Sequence, residues 1–141
     1  MPIINRDTDY AVRAMAHLGQ AEDVVSVSDL AAQESVPEVF LRKIMQKLHR
    51  AGLVESAQGP FGGYKLRKGP GEVTIKEVLE AIQGPLKLNA CFVDQTVCRN
   101  VRICALRRRL VALQGEIDGW LDGITLADLL ESLPEKGTVK T

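Results

Sequence analysis

SVPEVFLRKIMQKLHRAGLVESAQGPFGGYKL, residues 35–66, holds a helix, its stop signal and a hairpin in immediate succession. Pro37 suits the first position of a helix, because its missing N–H would be unpaired there anyway. Phe40, Leu41, Ile44, Met45 and Leu48 recur at three-to-four spacing and predict one buried side, ending near Arg50 where Ala51-Gly52 breaks the pattern. Leu53-Val54-Glu55-Ser56 and Tyr64-Lys65-Leu66 read as two short strands. They flank Gln58-Gly59-Pro60-Phe61-Gly62-Gly63, a turn-forming stretch at hairpin spacing.

Upstream, Thr8 to Gly19 has helical apolar periodicity, with Asp7 and Asp9 at the positive end of the helix dipole. Ser26 and Asp29 stand at capping-box spacing and open a brief helix, Leu30 to Gln33. Three helices followed by a hairpin are the order of a winged helix-turn-helix. Downstream, Thr74 and Glu77 form a second capping box, opening a helix to Ile82 that Gly84-Pro85 stops. Asn89 to Cys104 lacks periodicity and reads as loop. A long helix to about Leu121 follows, in which Ile103, Leu106, Leu110, Leu113, Ile117 and Leu121 form a near-heptad seam. Thr125 and Asp128 cap a last helix to about Leu133, and a polar tail runs from Pro134 to Thr141. The expected fold is mainly α with a small β-hairpin wing, a winged helix-turn-helix plus a long C-terminal dimerisation helix. Its segments are 1–68 (DNA-binding), 69–104 (connecting helix and cysteine loop), 105–134 (dimerisation and final helices) and 135–141 (tail).

The chain has 141 residues, enough for a core without disulfide staples. Eighteen Lys and Arg balance eighteen Asp and Glu, which excludes a wholly basic nucleic-acid wrapper. An aromatic content of 4% is too low for a surface that binds single strands by base stacking. No apolar run is long enough for a membrane span and the N-terminus lacks a signal-peptide core, so the cytoplasm is expected. Two histidines, no phosphate-cradling glycine loop and no nucleophile motif argue against an enzyme.

Charge is uneven along the chain. Residues 36–68 carry seven cations (Arg42, Lys43, Lys47, Arg50, Lys65, Arg67, Lys68) against Glu38 and Glu55, a net +5. Residues 114–135 carry six carboxylates and no Lys or Arg. Arg42, Lys43, Gln46 and Lys47 lie off the apolar side of the third helix, where a recognition helix meets major-groove base edges. Gln58, Tyr64 and Lys65 are the corresponding candidates in the wing. A solvated basic face is the bland alternative, and the hairpin at the right offset favours double-stranded DNA.

Cys91, Cys98 and Cys104 are the only cysteines and fall within 14 residues. No CxxC pair is present, which argues against a zinc ribbon and against thiol–disulfide exchange. Clustered thiolates suit an iron–sulfur cluster, which normally needs four protein ligands, or thiol redox chemistry. Arg99, Arg102, Arg107, Arg108 and Arg109 surround the last two cysteines, with no acidic residue from 99 to 109. They favour thiolates and an anionic cluster.

Asp9-Tyr10-Ala11-Val12-Arg13-Ala14, Leu48-His49-Arg50-Ala51-Gly52-Leu53-Val54 and Gly59-Pro60-Phe61-Gly62-Gly63-Tyr64 carry a resemblance. With the three-cysteine loop and Thr125-Leu126-Ala127-Asp128-Leu129-Leu130, the chain resembles, from about Ile4 to Leu133, the winged-helix iron–sulfur regulators that include NsrR and IscR. The resemblance implies a homodimer joined through the long helix at Leu106, Leu110, Leu113, Ile117 and Leu121. It also implies a 2Fe-2S or 4Fe-4S cluster held by Cys91, Cys98 and Cys104. IscR-like members add a His three residues after the last cysteine, where this chain has Arg107. NsrR-like members add an Asp from the other subunit, at the position of Asp9; the bland reading of Asp9 is a first-turn aspartate favoured by the helix dipole. His17 is expected at the surface or in packing, and His49 near phosphate or solvent. Relatives often carry Arg in the wing where this chain has Gln58, so a minor-groove arginine is not expected. The expected function is a transcriptional regulator, a repressor, that senses nitric oxide through its cluster. The alternatives are an iron, cluster-status or redox sensor on the same scaffold, and a non-DNA-binding iron–sulfur or thiol redox protein.

Overall fold

The computed structural model describes residues 2–132. Leu133 and the tail that the sequence places at its C-terminus lie outside the described residues. Seven helices and one hairpin follow in chain order: α1 Arg6–Gln20, α2 Val27–Glu34, α3 Glu38–Arg50, β1 Val54–Ala57, β2 Gly63–Leu66, α4 Ile75–Gln83, α5 Ala90–Val93, α6 Ala105–Gly123 and α7 Leu126–Glu131.

α1 begins where the Asn5 side chain accepts the Thr8 amide, and α2 where the Ser26 hydroxyl accepts that of Asp29. The second cap starts its helix three residues earlier than apolar periodicity alone indicates, since the first turn before Leu30 carries only Val27, half-buried against the core. Ser35 then turns the chain in the left-handed region, φ 54°. The Val36 amide bonds back to the Ala31 carbonyl at 3.0 Å, the closure that normally ends a helix. This turn sets α3 against α2. Pro37 caps α3 rather than occupying its first turn, as its carbonyl accepts the Phe40 and Leu41 amides.

The inner side of α3 is Leu41, Ile44, Met45 and Leu48, all buried. Phe40 departs from the sequence expectation: it is 39% exposed and lies at the rim, with the Arg6 guanidinium 4.8 Å over its ring. The cation holds the ring at the α1–α3 seam instead of letting it enter the core.

β1 and β2 pair antiparallel, Val54 opposite Leu66 and Ala57 opposite Gly63. Val25, before α2, adds a bridge to Tyr64 through two hydrogen bonds of 2.9 Å. A Cβ on Gly63 would stand 2.3 Å from the Val25 carbonyl oxygen, so only glycine permits this approach. Beyond the wing, Thr74 and Glu77 complete a capping box, as do Thr125 and Asp128. The two caps are stitched together by Ile75 N–H to Ile124 O (2.9 Å) and Leu126 N–H to Val73 O (3.0 Å). One core runs from Ala11 and Met15 through Leu30, Met45 and Leu48 to Leu79, Leu121 and Leu126.

The cysteine stretch contains structure that periodicity does not reveal. Asn89 caps the single-turn α5, and Asp94 caps a 3-10 turn over Gln95–Val97. In α6, Leu106 and Leu113 are exposed, Leu110 is half-buried, and Ile117 is half-buried against the core. Leu121 departs from the expected seam by entering the chain's own core. Two successive steps of four rotate it inward, and exposed Trp120 takes its place in line with Leu113 and Ile117. Among the described residues no helix is long and apolar enough to cross a membrane.

The close approach at Gly63 gives a direct test. Gly63→Ala is expected to destabilise the protein by about 1–3 kcal/mol, as other overpacking substitutions do. Thermal unfolding and amide exchange at Val25 and Tyr64 would report it, and unchanged exchange at both would contradict the close approach.

Candidate nucleic-acid interface and metal centre

One surface gathers the exposed side of α3, the start of α2 and the wing. Arg42, Lys43, Gln46 and Lys47 are all exposed along α3. Arg42 shares a cleft of about 400 Å³ with Ser26, Ser28, Gln58 and Tyr64, so it joins α3 to the wing. A second hollow of about 260 Å³ is formed by Gln46, His49, Arg50 and Tyr64. Thus Gln58 and Tyr64 meet residues of the helix that sequence reading separates from them. Lys65 lies across from Glu55, 3.8 Å away, an exposed cross-strand pair that leaves the ammonium hydrated.

His49 is the site residue that sequence reading underrates. Its ring meets Tyr64 edge-on at 6.4 Å between centroids, and its Nε2 is 3.5 Å from the Ser56 hydroxyl. The available signal is its place three residues after Gln46, on the same outward side of α3.

Glu38 is the one carboxylate of α3, beside Arg42. It accepts hydrogen bonds from the Ser28 hydroxyl (2.9 Å) and from Arg42. The Ser28 bond first, and Arg42 second, hold its carboxyl below the usual carboxylate range. The Glu38–Arg42 attraction is therefore present above the ordinary carboxylate pKa and is lost as pH falls through the depressed value. The pair is solvated, so Arg42 can exchange Glu38 for phosphate.

The three cysteines border a separate cavity of about 250 Å³, together with Asn89, Val97, Leu106 and Arg107. Cys91 is buried, Cys104 half-buried and Cys98 exposed. Cys104 caps α6, its sulfur accepting the Arg107 amide at 3.4 Å. Thiol sulfur here sits at the positive end of a 19-residue helix. The Arg107 side chain lies over Phe92 at 5.4 Å. Its Nε is buried and has no hydrogen-bond partner, alone in this among side-chain nitrogens and oxygens of the described residues.

Among the described residues no three His, Cys, Asp or Glu side chains stand close enough to hold a single metal ion. The donor set does suit a larger anionic inorganic group. It combines soft sulfur ligands, a helix N-terminus and an orphaned guanidinium donor around one cavity. Asp9 does not border this cavity; it is exposed and lies 3.5 Å from Arg13. His17 pairs with Glu34 at 3.1 Å between α1 and α2, far in role from both sites.

Residues 4–132 match the Rrf2 family of iron-dependent transcriptional regulators. The chain belongs to the Rrf2 family. It is 35% identical over 130 residues to the transcriptional regulator NsrR of Geobacillus kaustophilus, covering 88% of this chain and 86% of that one. It is 31% identical over 123 residues to IscR of Aliivibrio salmonicida, covering 86% and 73% respectively. The structure of T. potens IscR superposes with a TM-score of 0.75 at 26% identity, over 98% of this chain and 93% of that chain. The cysteine regulator CymR of B. subtilis shares the fold, with a TM-score of 0.76 at 24% identity over 95% of this chain and all of that one. This Rrf2 protein is accordingly a DNA-binding transcriptional regulator and not an enzyme.

The α3 face yields two predictions. Lys43→Ala or Lys47→Ala should weaken DNA binding across sequences and make the slope of log K against log salt shallower by about 1 for each phosphate left without its cation. Glu38→Gln should act in the opposite direction, tightening binding by removing a carboxylate that competes with phosphate for Arg42. Gel-shift titrations over a salt series measure both, and weaker binding by Glu38→Gln would show that Glu38 positions Arg42 instead.

Proposed function

We propose that this Rrf2 protein is a homodimeric repressor whose operator affinity is set by an iron–sulfur cluster, 4Fe-4S or 2Fe-2S, and that nitric oxide is its signal. Cys91, Cys98 and Cys104 would hold the cluster, with Asp9 of a second copy as fourth ligand. The observation that carries this reading is the shared cavity: the three cysteines, the α6 N-terminus at Cys104, and Arg107, whose buried Nε is unpaired, border one space. Such a cluster supplies an iron centre open to small reactive molecules. Identity to NsrR supports nitric oxide as the signal, as does the absence of a His at position 107. A carboxylate is a harder and weaker iron ligand than thiolate, so ligation by Asp9 would leave one iron the more easily attacked.

Leu106, Leu110, Leu113 and Trp120 form the apolar stripe of α6 that supports pairing with a second copy. A dimer would present two α3 helices to two half-sites. The chain also ties the cysteine region to the DNA-binding elements. Gln114 of α6 accepts the Leu88 amide at 2.9 Å and donates to the Leu86 carbonyl at 2.8 Å. Gln83, just before that connection, accepts the Thr8 hydroxyl at 2.7 Å and the Asn5 amide at 3.1 Å at the start of α1. The segment between α4 and α5 is thus held to α6 and, through Gln83, to α1. Release of the loop would loosen these bonds, move the dimer helices and shift the populations of DNA-binding and non-binding dimers.

An iron, cluster-status or redox sensor on the same scaffold is the second reading, and the exposed Cys98 thiol favours it. Anaerobically purified protein should show cluster absorption that nitric oxide bleaches, with parallel loss of operator retardation. Asp9→Ala should shorten cluster lifetime or change the spectrum, and Cys104→Ser should abolish stable loading. A nitric-oxide-insensitive spectrum with iron- or peroxide-dependent DNA binding would select the second reading.

A further inference from the structure

The wing tip carries one large side chain that the rest of the chain leaves uncovered. The turn Gly59 to Gly62 closes on a 3.0 Å hydrogen bond from the Gly62 amide to the Gly59 carbonyl. Pro60 occupies its second position, with φ preset by the ring, and Phe61 its third. Gly59 has φ +101°, and a Cβ on Gly62 would stand 2.3 Å from the Ala57 carbonyl oxygen. The turn is therefore built on backbone conformations that few other sequences could adopt. At its apex Phe61 is 91% exposed, more than any other large hydrophobic residue described.

Residues 58–63 contain no Lys or Arg; the cations of the wing, Lys65, Arg67 and Lys68, lie at its base. A tip without a cation cannot hold phosphate by charge, and Phe61 is its only bulky side chain. We propose that Phe61 is an apolar wedge that the wing inserts into the DNA minor groove, where it packs on the sugars and opens one base step. The inference rests on DNA binding through the α3 face, with which the wing is continuous through the cleft shared by Arg42, Gln58 and Tyr64. The cations of α3, Arg42 and Lys43 among them, and Lys65, Arg67 and Lys68 at the base of the wing would draw the duplex toward it. The apolar stripe suited to a second copy lies elsewhere, on α6, which packs on α4.

A wedge of this type exchanges base stacking for apolar contact and bends the duplex. Pyrimidine–purine steps unstack most easily, so Phe61 would select such a step without any hydrogen bond to a base. Sequence choice at the wing tip would then be expressed through deformability instead of charge.

The test uses the full anaerobic protein and a duplex containing the chain's own promoter region. Gel shifts across a salt series are combined with permanganate probing of unstacked thymines in the complex. Phe61→Ala should bind about tenfold more weakly, the loss expected for exposing one aromatic side chain. Its salt slope should be unchanged, because no cation is removed. Thymine reactivity seen in the wild-type complex should disappear, while Phe61→Leu should keep most of the affinity and reactivity. Phe61 stands outside the core, so the melting temperature of both variants should match wild type. Wild-type affinity and thymine pattern in Phe61→Ala would overturn the wedge, as would a wild-type complex without reactive thymines. If the wild-type protein fails to retard the duplex in either cluster state while folded, DNA binding itself fails and the wedge with it.

Discussion

Close packing around α1 is the constraint on which the other elements depend. Ala11 and Ala14 have no exposed surface, and α1 touches α2, α3, α4, α7 and β2. A methyl side chain lets neighbouring helices approach closely, and a larger one would force them apart. At the end of the helix, a Cβ on Gly19 would meet Leu130 at 3.1 Å and Pro70 at 3.3 Å. At its start, Arg6 stacks over Phe40 of α3. The helices and strand before α4 and the helices after the wing are consequently set against the same helix. A shift of one group relative to the other requires repacking of α1.

Polar pins reinforce this arrangement where the chain enters the cysteine region. Thr8 is fully buried and gives its hydroxyl proton to Gln83, while Gln114, also buried, bonds to Leu86, Leu88 and Asp118. A buried amide left unpaired would cost about 1–3 kcal/mol, so each glutamine is tied to one position of its neighbours. Arg107 stands out against that background. Its Nε is buried without a partner, on a residue that also lines the cavity bordered by Cys91, Cys98 and Cys104.

What the amino-acid order discloses follows from the range of the interactions involved. The caps at Ser26, Thr74 and Thr125 are local hydrogen bonds between residues three apart; the boxes at Thr74 and Thr125 are complete, whereas at Ser26 only the bond from the Asp29 amide to the Ser26 hydroxyl forms. The winged helix-turn-helix order is equally legible, because each element has its own periodicity or turn chemistry. α5 is not, since four residues are too few to display a period. Phe40 and Leu121 show a different limit: an apolar residue announces that it will be covered but not by what. Phe40 is covered in part by an arginine from α1, and Leu121 by the chain's own core rather than a partner. Gln83, Gln114 and His49 are polar residues whose partners lie far along the chain or in another element, so their roles exist only in three dimensions. Of the candidate sites, the grouping of the cysteines is legible in their clustering, and the meeting of Arg42 with Gln58 and Tyr64 is not.

Charge distribution explains how a chain of zero net charge can belong to a DNA-binding family. Seven basic residues lie in residues 36–68 and five arginines in residues 99–109, whereas residues 114–132 hold five carboxylates and no cation. The two ends of this distribution act differently near a polyanion: one is attracted and the other repelled, so encounter is oriented before the surfaces meet. Within this face Glu38 accepts a hydrogen bond from Arg42. Affinity that relied on charge alone would reward any duplex equally and fall steeply with salt. A modest positive face instead leaves room for discrimination by shape, in the cleft that Arg42 shares with Gln58 and Tyr64. A small, localised positive charge can thus orient a duplex without holding every duplex tightly.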